Sequence, residues 1–292
     1  MCFECEDIDT SKRKFLAGAT AAIVGAALTS QTFGQQQTVS EPKALDDPNI
    51  VHQSITFQNG ADTIKGYLAR PKKAGKHRAV VVSHGNPGIS EDIRNAAAQM
   101  AQAGYIGLAL DWNSRATGDT SKLDKPLEYY LANTFAKTML QDTQAAINYL
   151  KTQSFVRQKR VGLLGFCGGG WISLILAITS KDVKAVVAFY PPPIFRAPRI
   201  VPFDPRPNLI DVADKIKVPI QCHFGTQDRV IPNEDIKNFE KVLRDKKVKA
   251  EYFIYEGAGH AFYDYTRPQL YNRVATKLAH GRMLAFFKRQ LA

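Results

Sequence analysis

Val161-Gly162-Leu163-Leu164-Gly165-Phe166-Cys167-Gly168-Gly169-Gly170-Trp171 is the stretch around which this chain is organised. An apolar run ends at Gly165, and Trp171, Ile172, Leu174, Ile175 and Ile178 then recur at helical spacing. Between strand and helix lies Gly-Phe-Cys-Gly-Gly, a reactive side chain at the apex with glycine two residues to either side. Such a turn holds its apex in strained backbone, and the glycines leave room for the chain to double back. It also sets Cys167 at a helix N-terminus, where the positive end of the dipole favours thiolate over thiol. The alternative is a glycine-rich turn around a buried, inert cysteine.

Outward from this elbow, strands and helices alternate. Residues 52–57 and 64–69 each alternate polar and apolar, and Asn59-Gly60 between them predicts an antiparallel hairpin. The β-branched run 78–83 reads as a strand buried on both faces. A helix over 91–103, a strand over 105–110, a helix over 135–150 and a strand over 159–164 lead into the elbow. Beyond it, strands are expected at 183–189, 219–225 and 250–255, and a closing helix at 271–289. The prolines between Pro191 and Pro207 exclude regular structure there and suit the border of a pocket. The expected fold is α/β, a doubly wound, mostly parallel sheet of about eight strands behind an N-terminal antiparallel hairpin.

A thiol nucleophile needs a base, and the base needs an orienting group. Asp228, in Gly225-Thr226-Gln227-Asp228, follows a buried strand, and His260, in Gly257-Ala258-Gly259-His260, follows the last one. Taken singly, Asp228 reads equally as a turn residue and His260 as a surface histidine. Nucleophile, acid and histidine in this chain order, each at a strand end, make the pattern of the α/β-hydrolase fold. The oxyanion donors expected are the backbone N–H groups of Gly168 and of Asn86, in the loop His84-Gly85-Asn86-Pro87-Gly88. His84 reads first as a brace for that loop. No His/Cys/Asp cluster has metal-ligand spacing and no glycine-rich loop fits a phosphate, so neither metal nor cofactor is expected.

These residues resemble the dienelactone hydrolase family, from about residue 50 to the C-terminus. The pieces that carry the resemblance are Gly165 to Gly170 with cysteine for the commoner serine, Ala103-Gly104-Tyr105 with Asp111, Asp228, and Gly259-His260-Ala261-Phe262 ahead of a helix containing Leu284-Ala285-Phe286-Phe287. The resemblance implies a Cys167-His260-Asp228 triad that opens a lactone or cleaves a small ester through a thioester; the alternatives are a thioesterase or acyltransferase on the same fold, or a secreted binding module without turnover. It also implies that Arg115 holds a substrate carboxylate, the alternative being a solvated loop arginine. Trp112 and His84 are assigned with Arg115 to the substrate side. Two positions depart from the family pattern. Gly85 stands where a glutamate that controls the thiolate is expected, and Asp264 stands where a second carboxylate-binding arginine is expected, with Arg267 nearby but out of register. Loss of the arginine weighs against muconate-type dienelactones as the substrate, and loss of the glutamate implies that His260 alone activates Cys167.

With 292 residues, 45% hydrophobic and 23% charged, the chain is ample for one large core. Its net charge of +12 is spread without an aromatic-interleaved basic stripe, which argues against a nucleic-acid partner. The partner expected is a small ester or lactone; oligomeric state is not legible. Four cysteines are too few for a disulfide scaffold, and Cys2 and Cys5 lie in a leader without the context of a redox or zinc motif. Residues 1–30 read as an export signal, with Ser11-Lys12-Arg13-Lys14-Phe15-Leu16 resembling the twin-arginine pattern before a short apolar run. That run is short of the roughly 20 residues that span a bilayer, so no stable span is expected after signal removal. The alternative is an uncleaved membrane anchor. Residues 31–49 read as a polar linker and 50–292 as the folded domain, exported to the periplasm or beyond.

Overall fold

The computed structural model describes residues 43–85, 88–114, 136–157, 160–194 and 207–292. The expected export signal and most of the linker lie outside these residues. No helix among the described residues is long and apolar enough to cross a membrane.

Eight strands form one sheet in the order β1-β2-β4-β3-β5-β6-β7-β8. β1 (Ile50–Asn59) and β2 (Asp62–Pro71) make the antiparallel hairpin, in register from Ile50 opposite Pro71 to Asn59 opposite Asp62. The turn is Gly60-Ala61, one residue later than Asn59-Gly60 suggests, and Gly60 takes φ 61°. β2 runs antiparallel to β4 (Ile106–Leu110), and every later pairing is parallel. β3 (Ala79–Ser83) lies between β4 and β5 (Val161–Phe166), and all residues of these three strands are buried. Parallel strands covered on both faces require this continuous apolarity, which is why they read as unbroken runs. β6 (Val183–Phe189), β7 (Ile220–Gly225) and β8 (Ala250–Tyr255) complete the sheet.

Helices cover both faces. A Cβ added at Gly162 of β5 would meet Phe287 and Leu291 in and beside the C-terminal helix, α5 (Arg273–Gln290). One added at Gly165, an odd number of residues along and therefore on the other face, would meet the start of α3 (Gly168–Thr179). α1 (Glu91–Gln102) joins the α5 side, since the Tyr263 hydroxyl meets both Gln99 and His280. α2 (Ala136–Thr152) packs with α3. α5 begins at Arg273 because the Asn272 side chain caps it, accepting from the Ala275 N–H at 3.0 Å. α4 (Asn233–Asp245) was not anticipated from the sequence. Ile236, Phe239 and Leu243 are its buried apolar residues, a stripe too narrow to stand out among so many charges.

Candidate active site

Loops at the carboxyl ends of the parallel strands converge on a cavity of about 720 Å³, within the range of small-molecule sites. Cys167, Tyr190, His260, Asp92, Asp264 and Arg267 are among its lining. The elbow forms for a steric reason. A Cβ on Gly165 would lie 2.2 Å from the Gly169 carbonyl oxygen, and one on Gly169 would lie 2.2 Å from that of Ser83. Only glycine at both places lets α3 start against β5 and β3. Cys167 is thereby held at φ 53°, ψ −120°, as the N-cap of α3. Its N–H donates to Phe189 O at 2.9 Å, which ties the elbow to the end of β6.

Four non-glycine residues among those described take positive φ, and three of them line this cavity: Cys167 (53°), Tyr190 (39°) and Ala261 (60°). The fourth, Lys247, closes α4. Strained backbone collects where the rest of the structure holds functional side chains in place. Here it aims a sulfur, a phenol and, from the residue before Ala261, an imidazole into one volume.

The His260 ring and the Asp228 carboxylate meet at 2.8 Å, Nδ1 to Oδ2. The second Asp228 oxygen accepts the N–H groups of Val230 and Ile231, each at 2.8 Å, so the carboxylate is held by its own turn. Nδ1–H therefore points to Asp228 and leaves Nε2 for the sulfur. Burial pushes the Cys167 thiol up, but the hydrogen bond and charge of His260 and the Gly168 N–H outweigh it, and the thiol ionises below its ordinary value. Burial opposes the charge on His260 as well. Asp228 and the Cys167 sulfur overcome that opposition and push the imidazole up to about 10. Such a couple titrates as a unit, thiolate with imidazolium, which is the form in which a cysteine is nucleophilic at neutral pH.

Other expected site residues fare differently. Gly168 lies beside the sulfur, with its N–H turned to it. Asn86 and Arg115 lie outside the described residues. His84 and Trp112, expected on the substrate side, are fully buried and are not part of the cavity lining. His84 donates from Nδ1 to Gly85 O at 2.6 Å and accepts the Trp112 N–H on Nε2 at 3.3 Å. It is a neutral brace that fixes the loop beside the elbow to the end of β4, with burial holding its ring below the usual histidine range. Along residues 191–207, the expected pocket border, residues 195–206 lie outside the described residues. Among described residues, the segment from Asp264 to Asn272 supplies much of the cavity wall instead.

Residues 64–291 match the profile of the dienelactone hydrolase family. The chain belongs to that family. A Synechocystis sp. protein named as a carboxymethylenebutenolidase is 31% identical over 242 residues, covering 81% of this chain and 96% of its own. A Bradyrhizobium sp. protein named as a 2-oxo-3-(5-oxofuran-2-ylidene)propanoate lactonase is 31% identical over 224 residues, 76% of this chain and 88% of its own. Among solved structures, a dienelactone hydrolase from Klebsiella pneumoniae superposes with TM-score 0.73 at 24% identity, covering 82% of this chain and 98% of that one. P91, a dienelactone hydrolase-like promiscuous phosphotriesterase from metagenomic libraries, superposes with TM-score 0.67 at 23% identity, covering 83% and 99%. Likeness at these identities speaks for the α/β-hydrolase fold. Membership of the family makes the chain a carboxylic ester hydrolase that acts on lactones or esters.

Both departures from the dienelactone hydrolase pattern fall at the cavity. A Cβ at residue 85 would stand 3.1 Å from the Cβ of Cys167, so Gly85 leaves that flank of Cys167 without a carboxylate from this position. Asp264 lines the cavity and is ion-paired with Arg267 through Oδ2 and Nε. Arg267, out of register in the sequence, thus reaches the cavity with its charge already matched. Asp92 and Tyr190 were not singled out from the sequence. Asp92 is an acidic residue in a helix's first turn, an ordinary feature. Tyr190 is the last aromatic before a run of prolines, and nothing local marks its backbone as strained.

Proposed function

We propose that this dienelactone hydrolase family member cleaves a lactone or small carboxylic ester through a thioester on Cys167, with His260 and Asp228 completing the triad. The observation that carries the reading is the mutual shift of sulfur and imidazole, with Asp228 2.8 Å behind the ring. The Cys167 thiolate attacks the carbonyl carbon, and the carbonyl electrons move to an oxyanion received by the N–H groups of Gly168 and Asn86. The C–O bond breaks, and the leaving alkoxide takes the proton of the His260 imidazolium. Neutral His260 then takes a proton from water while the hydroxide attacks the thioester. The carboxylic acid leaves, and thiolate and imidazolium are restored.

The names of the relatives indicate lactones that themselves carry a carboxylate. This chain shares the reaction class, while its own cavity holds Asp264 with Arg267 paired to it. p-Nitrophenyl acetate tests the mechanism: the wild type is expected to release nitrophenolate with a burst or sustained turnover that iodoacetamide abolishes. Cys167→Ala is expected to lose at least about 10⁴-fold in kcat. Full turnover in Cys167→Ala would sink the assignment.

A further inference from the structure

Hydrolysis at Cys167 leaves part of the cavity's charge unused. Asp92 and Asp264 line one cavity from segments far apart in the chain, and the Asp264 charge acts on Asp92. Asp264, only 3% exposed, accepts the Thr266 N–H at 2.9 Å, the Thr266 hydroxyl at 2.6 Å and the Arg267 guanidinium. Its charge is matched. Asp92 accepts the Ser90 hydroxyl and the Ile93 N–H and makes no ion pair among the described residues. Burial, then the Asp264 charge, push its carboxyl up to about 6, against the weaker pull of Ser90 and Arg267. Tyr190 is the second observation. It is 3% exposed, lines the same cavity, and its hydroxyl makes no hydrogen bond among the described residues. The charges of Asp92, Cys167 and Asp264 all act on that phenol, and all four residues line the one cavity.

We propose that Asp92 is a specificity-determining residue which, with the Tyr190 hydroxyl, selects esters and lactones bearing a hydroxyl or cationic group beside the scissile carbonyl and rejects those bearing a carboxylate there. The proposal rests on hydrolysis at Cys167. An ionised Asp92 accepts hydrogen bonds and donates none, so it rewards a hydroxyl or an ammonium group. A carboxylate would meet like charge in a partly desolvated cavity, where repulsion is poorly screened. The cations that line the cavity among the described residues do not reverse this. Arg267 is committed to Asp264, and His260 to Asp228 and the sulfur. Arg229 stands exposed at the rim, where solvent screens it. The groups that act on Asp92 or feel its charge are Asp264, Arg267, Tyr190, Tyr265, the Ser90 hydroxyl and the Ile93 N–H.

Three acetates of similar shape test it: 2-(trimethylammonio)ethyl, 3,3-dimethylbutyl and 2-sulfoethyl acetate, whose charges do not titrate in the working range. The cation-to-anion ratio of kcat/KM is expected to rise about tenfold in the wild type as pH climbs through about 6. In Asp92→Asn the ratio is expected to stay flat. Cationic and anionic methanethiosulfonates, with modification of Cys167 located by peptide mapping, should show the same ratio without needing turnover. A wild-type ratio that ignores pH, or one that Asp92→Asn leaves unchanged, overturns the proposal. So does an anion preference that Arg229→Ala removes. If none of the acetates turned over, hydrolysis at Cys167 would fall, while the labelling ratio would still decide the selection by charge.

Discussion

Two cysteine–histidine couples in this sheet show how little adjacency in the chain means. Cys222 and His223 are neighbours on β7, yet successive residues of a strand point to opposite faces and cannot meet. Both are fully buried. Burial pushes the Cys222 thiol up, out of reach of ionisation. Burial, then the Arg282 charge, push His223 down to about 3. The neutral His223 ring stacks on Phe189 at 4.4 Å and bonds to Tyr255 and Gln221 at 2.8 and 2.9 Å. Cys167 and His260 come from distant loops, and each makes the other's charged form more stable. The same two side chains are inert packing in one place and a poised ion pair in the other. The difference lies in a helix N-terminus, a carboxylate behind the ring and an open cavity.

The sharpest way to break this comparison is to remove each imidazole. His260→Gln is expected to lower kcat/KM by about 10³- to 10⁴-fold and to move the ultraviolet thiolate titration of Cys167 up towards an ordinary thiol. His223→Gln should leave both within a few-fold. A thiolate that still forms early in His260→Gln would show that the imidazole is not what lowers the thiol.

The two sulfurs can be separated by their reactivity. Iodoacetamide is expected to modify Cys167 at least about a hundredfold faster than Cys222 in the folded protein, with the difference lost in denaturant. The sign of the pH dependence follows from the direction of the shift. Because the Cys167 thiol ionises below its usual value, its alkylation rate should rise at lower pH than that of a free thiol, while His260, pushed up to about 10, is still protonated. A rate that climbs only near the pKa of a free thiol would sink the ion-pair description.

The effect most remote from the active site concerns stability. His223 binds a proton less readily folded than unfolded, so the unfolded chain gains protons first as pH falls. Its contribution is fully present above about 6.5 and is lost from there down to about 3, at about 1.4 kcal/mol per pH unit. Urea midpoints over that window should fall less steeply in His223→Gln than in the wild type; parallel slopes would refute a neutral buried His223.

Much of the fold was legible because it is written in local signals. The unbroken apolar runs of β3, β4 and β5, the alternating hairpin and the glycines of the elbow each act over a few residues. The chain order of Cys167, Asp228 and His260 carried the topology with it. α4 carries too narrow an apolar stripe to be legible, and the side chains of His84 and Trp112, assigned with Arg115 to the substrate side, turn into the core. Asp92 and Tyr190 gave no such signal, since each matters through neighbours that sequence spacing does not show.

By itself, then, the sequence determined the alternation of strand and helix, the strained cysteine turn and the order of the three groups that belong together. Tertiary structure alone decided which groups share the cavity: Asp92 with Asp264, Arg267 paired to Asp264, and a Tyr190 hydroxyl with no hydrogen bond among the described residues. The physical reason is that backbone geometry is set over a few residues. The ionisation and reactivity of a side chain are set by desolvation and by whatever charge the fold brings within a few ångströms.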